Sequence, residues 1–265
     1  MNIKPTILIT GATSGIGESL LQHYLAHDYQ VIACGRNQEK LKQLATDNDN
    51  VVPIAFDITD KEQIRTAANK ISAIERIDIL MLNAGDCRYI DNAKAFDGEL
   101  FASVIATNLQ SLGYLLEHFL PKVNAGGQVV FVSSSATLLP FPRAEAYGAS
   151  KAGIDYLAKS LRLDLKAENI AVTLVHPGFI KTPLTDKNDF AMPFLLTSEQ
   201  AASRIYQGVS GRKSYLHFPK RLTLIMKLFA LLPDFIWQSI ALKNEKALSN
   251  EKALKKKKEL RNNKK

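Results

Sequence analysis

Cysteine is nearly missing from this chain. Cys34 and Cys87 are the only two in 265 residues, and their separation suits neither a metal-ligand nor a redox motif. A disulfide framework is therefore excluded, and both are expected to be reduced thiols in a cytoplasmic protein. A secretory leader is not expected either. Met1 reaches the apolar run 7–9 within a few residues, which leaves no room for a charged segment, an apolar segment and a cleavage site. Long apolar runs are also lacking. The nearest, 222–242, is broken by Pro233-Asp234 into pieces shorter than the ~20 residues a spanning helix needs. Finally, the body has almost no net charge. Residues 243–265 hold ten Lys or Arg against Glu245, Glu251 and Glu259, a net +7 out of +8 overall, leaving +1 for residues 1–242. The basicity belongs to a tail, so no nucleic-acid partner is expected.

What is present is a regular alternation. Apolar runs at 6–10, 30–35, 51–57, 79–83, 128–133 and 171–176 are separated by helical patterns at 16–27, 38–48, 61–75, 98–118 and 146–168. Apolar strands without inside–outside alternation belong to a parallel sheet buried on both faces. Strand–helix–strand repetition requires right-handed crossovers, so the expected fold is α/β, a doubly wound parallel sheet with helices on both faces. The regularity fails twice. Residues 183–194, with Asp186 to Asp189 followed by Met192-Pro193, read as a loop or short helix over a pocket. After Phe218 an apolar segment, 219–242, is expected to form a C-terminal helical extension. In the tail 243–265, NEKALS is followed by NEKALK. A six-residue repeat advances a helix by about 600°, which scatters Leu248, Leu254 and Leu260 over three faces, so 243–265 reads as a basic tail, a solvated, frayed or disordered extension.

Thr10-Gly11-Ala12-Thr13-Ser14-Gly15-Ile16-Gly17 follows the first strand and opens the first helix. Gly11 permits a tight turn, Gly15 lets the backbone approach a pyrophosphate, and Gly17 allows close helix–strand packing. The free N–H groups of the helix start then face the phosphates. At the end of the second strand, where a carboxylate would accept from the ribose 2′-hydroxyl of NAD, stands Cys34-Gly35-Arg36-Asn37. Gly35 removes the repulsion against a 2′-phosphate, and Arg36 offers it a planar fork, so NADP(H) is favoured over NAD(H). Asp57-Ile58 ends the third strand, with Asp57 placed to accept from the adenine amino group. Asn83-Ala84-Gly85 ends the fourth, small where the backbone must pass the adenosine. Consecutive strand C-termini share the ligand-binding edge of an open sheet.

Tyr147 and Lys151, at i and i+4, share a helix face, and Ser134 lies thirteen residues before the tyrosine. A free phenol titrates near about 10, too high for efficient proton transfer at neutral pH. A neighbouring ammonium, and a positive nicotinamide, would draw it down. Ser134 can hydrogen-bond a substrate oxygen, and Asn108, in the helix before it, could hold a water joining Lys151 to solvent. An isolated Tyr-x-x-x-Lys is ordinarily a surface pair. The serine, the small run 148–150 and the glycine turn upstream point instead to a proton-transfer site. After the sixth strand, Pro177 and Gly178 turn the chain so that the backbone of Ile180 and the hydroxyl of Thr182 can grip a carboxamide. His176, with no ligand cluster near it in sequence, reads as a loop histidine, and no metal site is expected.

TGATSGIG, FDI, LNAG, Asn108, SSSA around Ser134, YGASK and HPGFIKT, in that order, resemble the single-domain branch of the short-chain dehydrogenase/reductase family across residues 5–182. The resemblance implies a Rossmann-type fold, with 1–218 as the dinucleotide-binding and catalytic domain. It also implies roles: Tyr147 as general acid/base, Lys151 lowering its pKa and binding the nicotinamide ribose, Ser134 positioning the substrate oxygen, and Asn108 supporting a proton relay. The activity implied is reversible NADPH-dependent reduction of a ketone or aldehyde to an alcohol, with hydride from nicotinamide and the proton from Tyr147. A non-catalytic NADP-binding regulatory or scaffold protein is the alternative on the same fold. Family members pair as homodimers or homotetramers through helices equivalent to 98–118 and 146–168.

Leu184, Phe190, Met192, Phe194, Leu195 and Leu196 suggest a small apolar carbonyl or alcohol substrate. In the extension, residues 222, 225, 229 and 232 make one apolar face, widened by 224, 228 and 231, with Thr223, Lys227 and Ala230 opposite. Such a stripe covers a pocket or a subunit interface or, with the lysine tail, holds the chain to an anionic membrane surface.

Overall fold

A computed structural model describes residues 4–74 and 76–243, so the tandem repeat and its leucines lie outside the described residues. In chain order the elements are β1 (Thr6–Thr10), α1 (Gly15–Leu25), β2 (Gln30–Gly35), α2 (Gln38–Asp47), β3 (Val51–Ala55), α3 (Lys61–Lys70), β4 (Ile77–Leu82), α4 (Gly98–Ile105), α5 (Ser111–Phe119), β5 (Val123–Val132), α6 (Glu145–Asp164), β6 (Ala171–Pro177), β7 (Ile180–Lys181), β8 (Leu196–Thr197), α7 (Ser198–Ser210), β9 (Tyr215–Phe218) and α8 (Lys220–Phe229). Among the described residues, seven strands form one parallel sheet in the order β3-β2-β1-β4-β5-β6-β9, with β7 and β8 a separate parallel pair. The chain runs outward from β1 to β3, then returns to place β4 on the other side of β1. That reversal opens a crevice at the C-terminal edge between β1 and β4, where open α/β sheets bind ligands.

The apolar strands sort their side chains by twos. All five residues of β1 are buried. Ile7 and Ile9 join Leu20 and Leu21 of α1 and Ile205 of α7 in one layer, and Leu8 joins Ile64 of α3, Leu115 of α5 and Ile154 of α6 in the other. Each such side chain contributes about 1.5–3 kcal/mol relative to exposure, so the strand nearest the crevice is also among the most firmly held. Side chains of Asn37, Asp60, Asp97 and Thr197 cap α2, α3, α4 and α7, whereas Ser14 makes no capping bond to α1.

The structure departs from the sequence expectations in three places. The helix expected over 98–118 contains a π-turn at Ala106–Gln110, between α4 and α5. Residues 183–194, expected as a loop or a short helix over a pocket, are the loop: they form turns, and Pro183, Leu184 and Thr185 line the cleft. Four elements were not foreseen: the two-residue strands β7 and β8, the helix α7, and the edge strand β9, whose four residues alternate half-buried and buried. In α8 the buried face is Leu222, Thr223 and Met226. Ile225, expected beside Leu222, is instead 48% exposed. The packed arc is turned toward Thr223, whose hydroxyl lies 2.6 Å from Nδ1 of His217 on β9.

Candidate active site

A cavity of about 530 Å³ runs along the C-terminal edge of the sheet. Most of the expected positions line it: Gly11, Thr13, Ser14, Gly15 and Ile16; Arg36, Asn37, Asp57 and Ile58; Asn83, Ala84 and Gly85; Ser134, Tyr147 and Lys151; and Pro177, Gly178, Ile180 and Thr182. Thr10, Gly17 and Asn108 are not among the lining residues, and each braces the wall. Buried Thr10 accepts through Oγ1 from the backbone N–H groups of Asn83 and Ala84, at 3.0 and 3.1 Å, which ties the end of β4 to the end of β1.

The glycine turn is shaped for an anion. Gly11 and Gly15 have φ of +70° and +54°, values that favour glycine. A Cβ on Gly17 would stand 2.0 Å from the Gly11 carbonyl oxygen, so α1 packs on the turn as only glycine permits. Because Ser14 does not cap α1, the N–H groups of its first turn remain directed at the cleft. Across the gap, a Cβ on Gly15 would meet Thr182 at 3.0 Å, so the segment after β6 closes over the turn. This cradle fits the pyrophosphate of a dinucleotide. Asn37 has a second task, accepting from Lys40 N–H to cap α2. Asp57 uses Oδ1 to accept from Thr59 N–H and hydroxyl, at 2.8 and 2.7 Å, and turns Oδ2 toward Arg36 at 3.8 Å.

At the inner end of the cleft α6 presents Tyr147 and Lys151, with the Lys151 ammonium 5.7 Å from the tyrosine ring centre and donating to the Val132 carbonyl at 3.0 Å. Burial pushes the Tyr147 phenol up, the nearby Cys87 thiol adds to this, and a hydrogen bond with Ser134 pulls the other way. Burial likewise pushes Lys151 down, to about 8, against the opposing pull of Cys87 and Asp155. In the protein alone, therefore, the phenol is not drawn down by the ammonium as expected. Desolvation outweighs a charge held several ångströms off by a backbone carbonyl. The Asn108 amide is spent on bracing. It accepts from Asp86 N–H at 2.7 Å and donates to the Asp86 carbonyl at 2.8 Å and the Ser150 hydroxyl at 2.9 Å. The π-turn thereby locks the loop after β4 onto α6.

Comparison with known proteins agrees with this geometry. A family model for the short chain dehydrogenases matches residues 5–192. The chain belongs to the short-chain dehydrogenase family. An uncharacterised oxidoreductase of Myxococcus xanthus is 30% identical over 246 residues, 89% of this chain and 96% of its own. A serine 3-dehydrogenase of Rhizobium radiobacter is 32% identical over 208 residues, 77% of this chain and 81% of its own. Among solved structures, a short-chain dehydrogenase of Burkholderia cenocepacia in complex with NADP superposes with a TM-score of 0.79 at 24% identity, over 91% of this chain and 99% of that one.

This short-chain dehydrogenase also carries a polar network behind the lysine that the sequence reading missed. His176 is not in a loop. It lies within β6, 3% exposed, with Nε2 2.9 Å from Asp155 Oδ1 and Nδ1 3.1 Å from the Tyr215 hydroxyl. Ser133 donates to Asp155 at 2.6 Å and lies 3.2 Å from the Lys151 carbonyl. Burial opposes ionisation of Asp155, yet His176, Ser133 and Thr137 together hold its carboxyl below the usual range. A signal was available, since 147, 151 and 155 are spaced i, i+4, i+8 on one helix face. Cys87, expected only as a reduced thiol, is a free half-buried thiol that acts electrostatically on both Tyr147 and Lys151.

Proposed function

We propose that this short-chain dehydrogenase is an NADPH-dependent carbonyl reductase, converting a ketone or aldehyde to an alcohol and able to run in reverse. The observation that carries the reading is Ser134, Tyr147 and Lys151 gathered at the inner end of a dinucleotide-shaped cleft. The nicotinamide, when bound, supplies the hydride. Ser134 holds the carbonyl oxygen by a hydrogen bond. Tyr147, kept protonated by its burial, gives that oxygen its proton as negative charge develops. Lys151, largely charged at neutral pH, stabilises the phenolate left behind. Ile180 and Thr182 orient the carboxamide, and the Asn108 brace keeps Gly85 and Lys151 in register.

Preference for NADP(H) is supported by Arg36, which is 81% exposed and 3.8 Å from Asp57. An exposed pair at that distance contributes little, so the guanidinium is free to take a 2′-phosphate. The NADP held by the Burkholderia protein agrees, and the serine 3-dehydrogenase supports dehydrogenase chemistry without fixing this chain's substrate. The substrate side is apolar. Phe190 meets the rings of Tyr89 and Phe179 edge-on, at 5.7 and 6.1 Å. The outer face of α6 exposes Tyr156 and Leu163, which supports pairing with a second copy there.

Fluorescence titration with NADPH and NADH, followed by turnover of a ketone and aldehyde panel, tests the reading. Tyr147→Phe is expected to bind NADPH like wild type and to lose about 10³-fold in turnover. Arg36→Leu is expected to weaken NADPH selectively. Undiminished turnover in Tyr147→Phe would refute the assigned proton donor, tighter NADH binding would refute the role of Arg36, and binding without turnover would favour a regulatory protein.

A further inference from the structure

The outward face of the C-terminal helices is left unexplained by the catalytic reading. Twelve large apolar side chains stand exposed among the described residues, and seven of them fall between 224 and 242, including Leu224, Ile225, Leu228, Leu231 and Phe235. Leu228 is 61% exposed and Leu231 83%. Such clustering marks an interaction surface, whereas scattered exposed leucines would not.

The face is rigidly held. Leu222 and Met226 of α8 are buried against Leu139, and a Cβ on Gly178 would stand 2.8 Å from a Leu222 methyl. The chain is helical again over 234–243, where the Trp237 indole donates to the Pro140 carbonyl at 2.6 Å and its ring packs on Phe141 and Phe229 at 5.3 and 5.9 Å. With its inner side spent on the body, the pair of helices presents a preformed apolar plane outward. Arg221 stands at i to Leu224, Ile225 and Leu228, on the rim of the same face.

The segment that carries this plane is basic in sequence, and its described part holds Lys220, Arg221, Lys227 and Lys243 against Asp234. Residues 219–265 hold thirteen Lys or Arg against four Asp or Glu, a net +9, which leaves −1 for the other 218 residues of a chain carrying +8. Among the described residues, no helix is long and apolar enough to cross a membrane. Short helices with an apolar outer face and flanking basic residues lie in the lipid interface.

We propose that this face docks on an anionic lipid membrane, with its leucines and Phe235 at the boundary between headgroups and acyl chains and its basic residues on the headgroups. A second copy of the chain would also cover the apolar plane, but that pairing opposes two like-charged helix pairs, each with Lys220, Arg221, Lys227 and Lys243 against Asp234, whereas anionic headgroups neutralise them.

Co-sedimentation of the full-length protein with vesicles of phosphatidylcholine, alone or mixed with phosphatidylglycerol, is the test. Binding is expected on the mixed vesicles, weaker on phosphatidylcholine alone and weaker in raised salt. The double variant Leu224→Glu, Leu228→Glu should bind at least about tenfold less while keeping its melting transition. Should that variant fail to fold, Leu231→Glu at the most exposed position provides the same comparison. Wild type that stays in the supernatant, or binds both vesicle types equally, overturns the proposal, as does a folded variant that binds like wild type. A variant that converts a wild-type dimer to monomer without changing vesicle binding assigns the face to a second copy and also overturns it.

Discussion

Helices α7 and α8 are both held to the body by one face, yet their outer faces differ in kind. α7 buries Ala201, Ala202, Ile205 and Val209 and turns Glu199, Gln200, Arg204 and Gln207 outward. α8 buries Leu222, Thr223 and Met226 and turns Arg221, Leu224, Ile225 and Leu228 outward. The first is complete in water. The second satisfies its inner face and leaves a surface that water does not favour, so periodicity identifies the helix and its inner side while outward chemistry reports what lies beyond.

The comparison is tested most severely from inside α7. Ile205 is fully buried in the layer that contains Ile7 and Ile9. Ile205→Ala is expected to cost about 2–5 kcal/mol, read as a lowered midpoint in urea unfolding. A loss under about 1 kcal/mol would mean that α7 is not part of the core as described.

A smaller effect separates the lysine of the core from those of the extension. Lys151 titrates near 8, below its ordinary value, because burial disfavours its charge. Its charged form is lost as pH rises through that value, so kcat/KM for reduction is expected to fall above about pH 8, approaching tenfold per pH unit. Stability should move the other way. Between about 8 and the ordinary lysine value the unfolded chain binds more protons than the folded one, so this group's contribution rises with pH. A rate that falls while the melting temperature holds identifies titration, and a rate that falls with the melting temperature would remove Lys151 as the cause.

The same contrast explains what the sequence made legible. The glycine turn, the strand ends and the pair Tyr147 and Lys151 are local patterns whose chemistry is fixed by spacing, and they meet in one cleft. β9 was missed because four residues on a sheet edge carry too little periodicity, and α7 because a Thr197–Gln200 capping box ahead of small apolar residues was not read as a helix start. The Asp155–His176 contact joins positions 21 residues apart in sequence through β6 and α6, and only the sheet shows that His176 points inward. The π-turn at Ala106–Gln110 left no sequence signature, since its five residues are ordinary helix formers apart from Thr107 and Asn108.

The smallest expected effect is the most discriminating. Leu228→Ala removes as many carbon atoms from α8 as Ile205→Ala removes from α7, but from a position already 61% exposed. Its effect on unfolding should stay within about 0.5 kcal/mol, because little apolar area is uncovered and no cavity forms. Thermal or urea unfolding in the absence of vesicles measures this directly. A loss approaching that of Ile205→Ala would show that Leu228 is buried in solution against a second copy or another segment, and the outer face of α8 would then be closed in the same way as the inner face of α7. A negligible loss, with unaltered mass in solution, leaves an apolar surface that contributes nothing to the fold that carries it, which is the property expected of a face kept for something outside the molecule.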